Sequence, residues 1–262
     1  MSKTAVITGA TSGIGAAYAR RLAADGYDLI ITGRRKEIID KVAEEIIKEH
    51  DVNVNVIIAE LSDDKDIRKV ADAISSADDI EMLINNAGYF DTDTDCLEVE
   101  LANHENMVKV HQIAPLRLIY AVLPAMTRRK KGAIINVSSL GAYAPGLRTY
   151  VYTATKVFLK QLSEGLFLEL KDKGIKVQVL CPAFTQTDFY RVYPEEKRKV
   201  IFDAAKMFTV SPEMTVDYSL KSLNKNRSIC LPGVKFRFFA YLFQVLPRNM
   251  LYKISAKMTE TM

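Results

Sequence analysis

Short runs rich in β-branched residues recur along this chain, separated by longer stretches with helical spacing. The runs are Ala5–Thr8, Leu29–Thr32, Val54–Ala59, Met82–Asn85, Ala133–Val137 and Val177–Leu180. They lack polar alternation, as strands buried on both faces of a parallel sheet do. The predicted helices are Ile14–Asp25, Lys36–Glu49, Asp64–Ser76, Glu98–Arg128 and Val151–Asp172. Gly26, Gly132 and Gly174 fall at the ends of helical stretches, where a C-cap glycine belongs. Such alternation implies βαβ units and an α/β fold: a doubly wound parallel sheet with helices on both faces. A late apolar run, Ser228–Leu231, would bring the sheet to about seven strands at its edge. With no repeat, low-complexity segment or linker, one domain over residues 1–262 is expected.

That length suffices for a well-buried core, and 48% hydrophobic with 26% charged residues is a globular composition. No apolar run is long enough for a transmembrane helix, and Thr4–Ile7 reads as strand rather than as a secretory leader. Cys96, Cys181 and Cys230 are odd in number and far apart. They suit a reducing compartment and give no disulfide framework or paired-cysteine metal site. The expected location is cytoplasmic. Net charge is +4, unevenly spread: residues 218–259 hold eight lysines and arginines and no acid.

The first strand runs into Thr8-Gly9-Ala10-Thr11-Ser12-Gly13-Ile14-Gly15. Glycines at 9, 13 and 15 allow a sharp turn and close approach to a pyrophosphate, which the following helix N-terminus attracts with free N–H groups and positive potential. The fold is therefore read as Rossmann-type. Strand two ends in Gly33-Arg34-Arg35. An acid there would bind the adenosine ribose and repel a 2′-phosphate, whereas Arg34 and Arg35 can clamp one. The cofactor expected is NADP(H) rather than NAD(H).

Tyr152 and Lys156 lie one helical turn apart, on one face, and Ser139 follows a strand thirteen positions before the tyrosine. Carbonyl–alcohol interconversion needs a proton donor at oxygen and a second group to hold the developing oxyanion. Tyr152 and Ser139 fit those roles, with the Lys156 ammonium expected to lower the tyrosine pKa. Ser138 should point to the other face of its strand.

These motifs resemble the short-chain dehydrogenase/reductase family over the chain up to about Leu231, through TGATSGIG (8–15), NNAG (85–88), NVSS (136–139), YTATK (152–156) and CPAFTQT (181–187). The branch most resembled is that of hydroxysteroid and long-chain ketone reductases. The resemblance implies that Ser139 and Tyr152 bind the substrate oxygen and that Lys156 holds the nicotinamide ribose. Gly9, Thr11, Ser12, Gly13, Ile14 and Gly15 would cradle phosphate. Glu60, Leu61, Asn86, Ala87 and Gly88 would sit at the adenine side, and Pro182, Ala183, Phe184 and Thr187 at the carboxamide. Three positions depart from the family pattern. His111 stands where an asparagine usually holds a relay water, and is carried as a catalytic candidate able to take that role or to be simply packed. Ala183 replaces a glycine, and Glu60 an aspartate. His104 and His111 are seven apart on one predicted face, but further ligands are lacking, so no metal is expected.

A lid over about residues 188–209, with Phe189, Tyr190, Tyr193, Phe202, Met207 and Phe208, suggests a bulky apolar, lipid-like or steroid-like ketone or alcohol. In the aromatic and basic extension of residues 234–262, Val234–Ile254 can pack on the lid, pack on a second subunit, or lie on an anionic membrane, the last being the least favoured. The resemblance implies a homodimer or homotetramer. Nucleic acid is not expected, since no recognition motif accompanies the basic residues. A cofactor-binding regulator without catalysis, or a peripheral membrane protein acting through Val234–Ile254, are the alternatives.

Overall fold

In the computed structural model the chain is described over residues 3–90, 98–185, 189, 195, 196, 199 and 209–260. Strands β1 (Thr4–Thr8), β2 (Asp28–Gly33), β3 (Val54–Ile58), β4 (Ile80–Asn85), β5 (Gly132–Val137) and β6 (Ile175–Leu180) alternate with helices. These helices are α1 (Gly13–Ala24), α2 (Lys36–Glu49), α3 (Asp64–Ser75), α4 (Leu101–Val108), α5 (Ala114–Arg129) and α6 (Tyr150–Leu170). The short strands β7 (Phe184–Thr185) and β8 (Thr209–Val210) pair with each other. Helix α7 (Pro212–Asn224), strand β9 (Ile229–Cys230) and helices α8 (Val234–Val245) and α9 (Arg248–Glu260) follow.

The large sheet has the order β3-β2-β1-β4-β5-β6-β9, every pairing parallel. Progression from β1 runs outward to β3, then resumes on the other side at β4. That reversal opens a crevice beyond the carboxyl ends of β1 and β4, where doubly wound sheets bind ligands. Successive side chains of β1 enter opposite cores. Ala5 and Ile7 join Tyr18, Leu22 and Ile39 on one side, while Val6 joins Ile67, Leu118 and Val122 on the other. Both faces of β1 being covered, that strand shows no polar alternation; β3 and β6 do alternate, with Asn55 exposed at the sheet edge and Gln178 buried against Ser219.

Caps set several boundaries. Asp63 accepts from the Lys65 N–H at the start of α3, and Ser211 accepts from the Met214 N–H at the start of α7. Gly26 and Gly174 take positive φ as expected of C-terminal glycines, but Gly132 opens β5 instead. Lys130, at φ 50°, supplies the left-handed turn that ends α5. The stretch read as one helix over Glu98–Arg128 starts at Leu101 and widens into a π turn at Lys109–Ile113. Pro115 has no N–H to offer the His111 carbonyl four residues back, which accounts for the break in the α register there. The edge strand expected at Ser228–Leu231 forms with two residues. No helix among the described residues is long and apolar enough to cross a membrane.

Candidate active site

The loop after β1 fits a phosphate. Gly9 and Gly13 have φ of +69° and +57°, in the left-handed region that glycine tolerates. A Cβ on Gly15 would stand 2.2 Å from the Gly9 carbonyl oxygen, so α1 packs on its loop more closely than a side chain allows. Ser12 makes no side-chain cap, and the first turn of α1 carries no acid, so the helix N-terminus keeps its positive end open. The Thr8 hydroxyl oxygen accepts from the N–H groups of Asn86 and Ala87, each at 3.0 Å. Asn86 donates back to the carbonyls of Thr8 (2.9 Å) and Gly9 (3.1 Å). The loops after β1 and β4, either side of the crevice, are thereby laced together.

The two arginines after β2 diverge. Arg35 donates to the hydroxyls of Thr11 (2.9 Å) and Ser12 (3.3 Å), bringing its guanidinium beside the glycine loop. Arg34 turns to Glu60, 3.2 Å away, which also accepts from the backbone and hydroxyl of Ser62.

Beyond the β5 end, the Ser139 hydroxyl accepts the Gly141 N–H at 3.0 Å and lies near enough to Tyr152 to pull its pKa down. Tyr152 and Lys156 share the face of α6 that meets the crevice. Burial pushes the tyrosine up to about 12, against a downward pull from the nearby Ser139 hydroxyl. Burial brings the Lys156 ammonium down to about 8. Lys156 donates to the Val137 carbonyl at 3.0 Å, its nitrogen 5.6 Å from the Tyr152 ring centre. Burial is the largest influence on the tyrosine in this structure, and the Lys156 ammonium, expected to lower its pKa, is not among the causes. The Ser138 hydroxyl points elsewhere, to the Lys156 carbonyl at 2.7 Å, which fixes α6 against β5.

His111 is fully buried within the π turn. Its Nε2 accepts the Tyr89 N–H at 3.0 Å, and its Nδ1 lies 2.9 Å from the Thr155 hydroxyl. Thr155 gives its own proton to the Tyr152 carbonyl at 2.7 Å, so Nδ1 must be the donor toward Thr155. The imidazole is therefore neutral in one tautomer. Burial, and then the Lys156 charge, hold its pKa well below the ordinary value. Each ring nitrogen is already engaged by the protein, unlike a side chain free to hold a relay water. His104 does not share its surroundings and meets the Tyr150 ring at 5.4 Å. Among the described residues no group of three potential metal ligands occurs.

One cleft of about 480 Å³ joins these parts. Its lining includes Gly9, Thr11, Ser12, Gly13, Ile14, Arg34, Arg35, Glu60, Leu61, Asn86, Ala87, Gly88, Ser139, Tyr152, Lys156, Pro182 and Ala183. Of the other expected residues, Gly15 packs behind the loop, His111 lies behind the wall, and Phe184 pairs with Thr209 in β7, its neighbour Thr185 lining the cleft instead. Thr187 and, in the expected lid, Tyr190, Tyr193, Phe202, Met207 and Phe208 lie outside the described residues. Ala183 keeps a φ outside the left-handed region, so its methyl brings no backbone strain.

Sequence reasoning missed Tyr89 and Phe90. Phe90 meets the Tyr152 ring edge-on at 5.4 Å, and Phe189 meets it at 5.8 Å, so the tyrosine sits under two apolar rings. Their signal was position, since residues just past the carboxyl end of β4 border the crevice.

The chain matches the family model described as short chain dehydrogenase over residues 3–198. The very-long-chain 3-oxoacyl-CoA reductase of Anas platyrhynchos is 32% identical over 262 residues, 97% of this chain and 78% of that protein. The bulky-bulky ketone specific alcohol dehydrogenase of Comamonas testosteroni is 34% identical, with a TM-score of 0.78 over 88% of this chain and 86% of that one. A short-chain dehydrogenase from Sphingobium yanoikuyae in complex with NADPH is 30% identical, with a TM-score of 0.80 over 94% of this chain and 97% of that one.

Proposed function

This chain belongs to the short chain dehydrogenase family, and we propose that it is an NADP(H)-dependent oxidoreductase interconverting a bulky, apolar, lipid-like or steroid-like ketone and its secondary alcohol. The observation that carries the reading is the convergence of Ser139, Tyr152 and Lys156 on the same cleft as an open glycine-rich loop. When bound, the nicotinamide supplies or accepts the hydride. Gly9, Gly13 and the first turn of α1 would hold its pyrophosphate. Arg35, with the Thr11 and Ser12 hydroxyls, would take the adenosine 2′-phosphate, while Arg34 and Glu60 border the adenine side. Lys156 would hold the ribose, and Pro182, Ala183 and Thr187 the carboxamide end.

At the reacting carbon, Ser139 and Tyr152 donate hydrogen bonds to the carbonyl oxygen. Tyr152 delivers the proton in reduction and removes it in oxidation. At neutral pH it is protonated, the form that donates the proton in reduction. Phe90 and Phe189 give the oxygen site an apolar roof and favour a bulky apolar substrate. We assign His111 a positioning role, holding the Tyr89 backbone and Thr155 in register around Tyr152, rather than the proton relay. The same engagement favours, as a second reading, a cofactor-binding regulator with weak catalysis. Buried free thiols at Cys181 and Cys230 suit a reducing, cytoplasmic setting.

The test is NADPH oxidation across a panel of bulky ketones with wild-type and Tyr152→Phe protein. Turnover reduced by about 10²–10⁴ in the variant, with NADPH binding retained, is expected. Tight NADPH binding by the wild type without turnover on any ketone would favour the regulator.

A further inference from the structure

Helix α8 presents two faces of different character. Phe236 and Ala240 are buried, joining Tyr143, Val179 and Leu231 in a small core beside the Ser139 loop. On the far side, Val234, Phe238, Tyr241 and Val245 are exposed at 80%, 60%, 64% and 56%. At 100° per residue these four fall within an arc of about 60°. Lys235 and Arg237, both exposed, flank that stripe on either side. Helix α9 follows, with Met250 and Tyr252 exposed on either side of the buried Leu251 and with Arg248 and Lys253 exposed. No acidic residue occurs between residues 218 and 259.

We propose that the outer face of α8 is a docking surface for an anionic lipid bilayer, with its apolar stripe in the headgroup region and Lys235 and Arg237 against lipid phosphates. A short amphipathic helix with aromatics on one face and cations at its margins has the composition of an interfacial helix. Juxtaposed cations add attraction to anionic lipid. A second copy of this chain fits the surface poorly. A twofold contact would bring the Lys235 and Arg237 margins of α8 against their copies, and α8 itself carries no acid to pair them. Exposed Tyr120 on α5 and Val157 and Leu168 on α6 offer copies another apolar surface. The inner face of α8 packs beside the loop that follows Ser139.

The test is flotation of the full chain with vesicles of phosphatidylcholine alone or with roughly 30% phosphatidylserine, in about 0.05 M and 0.5 M NaCl. Expected is binding at least about tenfold greater to anionic vesicles, released by salt. The double variant Phe238→Ser/Tyr241→Ser alters exposed residues only, and should lower that binding at least about tenfold. NADPH binding, turnover of a water-soluble ketone and mass by light scattering should be unchanged. Equal binding to both vesicle types, no binding, or binding insensitive to the double variant would overturn the proposal. So would a fall in oligomeric mass in that variant, which would make the face a protein interface. Loss of ketone turnover in the wild type would count against the reductase reading alone, since flotation does not depend on it.

Discussion

Replacing Arg35 by alanine tests the cofactor reading where it is most exposed to refutation. The guanidinium is held at 2.9 Å from Thr11 and 3.3 Å from Ser12, beside the glycine loop, so its position is set before any ligand arrives. A charge-assisted hydrogen bond to phosphate contributes roughly 1.5–3 kcal/mol. That converts to a loss of about 10- to 150-fold in NADPH affinity. NADH lacks the 2′-phosphate and should change by less than about threefold, given the same bookkeeping. Arg34 is already paired with Glu60 and its side chain is 63% exposed, so Arg34→Ala should cost NADPH less than about tenfold after solvent screening. Glu60→Gln should release Arg34 and tighten NADPH by about two- to fivefold on the same grounds. The assay is calorimetric titration of both cofactors into wild type and the three variants at fixed ionic strength. Equal weakening of NADPH and NADH in Arg35→Ala, or a wild type that binds NADH more tightly, would refute the assignment of the 2′-phosphate to Arg35.

Three further outcomes follow from the site. Lys156 titrates at about 8 in the cofactor-free protein, so NADPH binding should weaken as pH rises through 8 and the ammonium is lost. Lys156→Met should flatten that dependence, and an unchanged slope in fluorescence titrations would disprove the role of Lys156. The same group has a linkage consequence: its folded pKa lies below the unfolded value of 10.5, so the unfolded chain binds more protons between pH 8 and 10.5, and Lys156 destabilises less as pH rises through that window. Removal of that slope in Lys156→Met by denaturant unfolding is the check. His111→Phe would strand the Tyr89 N–H and deprive Thr155 of its donor, at roughly 1–3 kcal/mol per unsatisfied group. Unfolding midpoints should fall, while kcat/KM keeps its shape between pH 5 and 7. A limb in that range present in the wild type and missing in the variant would restore His111 as a relay.

What the chain spells out locally and what it leaves to folding separate at the π turn. The glycine loop was legible because each glycine answers a backbone demand: a left-handed φ at Gly9 and Gly13, and contact without room for a Cβ at Gly15. The parallel sheet was legible because burial on two faces erases polar alternation. By contrast, the boundary at Gly132 was misassigned, because Lys130 pays the left-handed cost that glycine usually spares and the glycine passes into β5. The aromatic roof was invisible to spacing arguments, since Phe90 and Phe189 are nearly a hundred residues apart and meet only over Tyr152. His111 shows both limits at once. Its place could be read from the family pattern, where an asparagine usually stands, but its chemistry could not. Pro115 withholds the N–H that would keep the helix regular, and the widened turn holds the imidazole between the Tyr89 backbone and Thr155. A residue type suited to proton transfer is thus kept neutral by burial and the Lys156 charge, and is bound at both ring nitrogens by segments distant in sequence. The positioning role proposed for it rests on those partners rather than on its pKa as a free side chain.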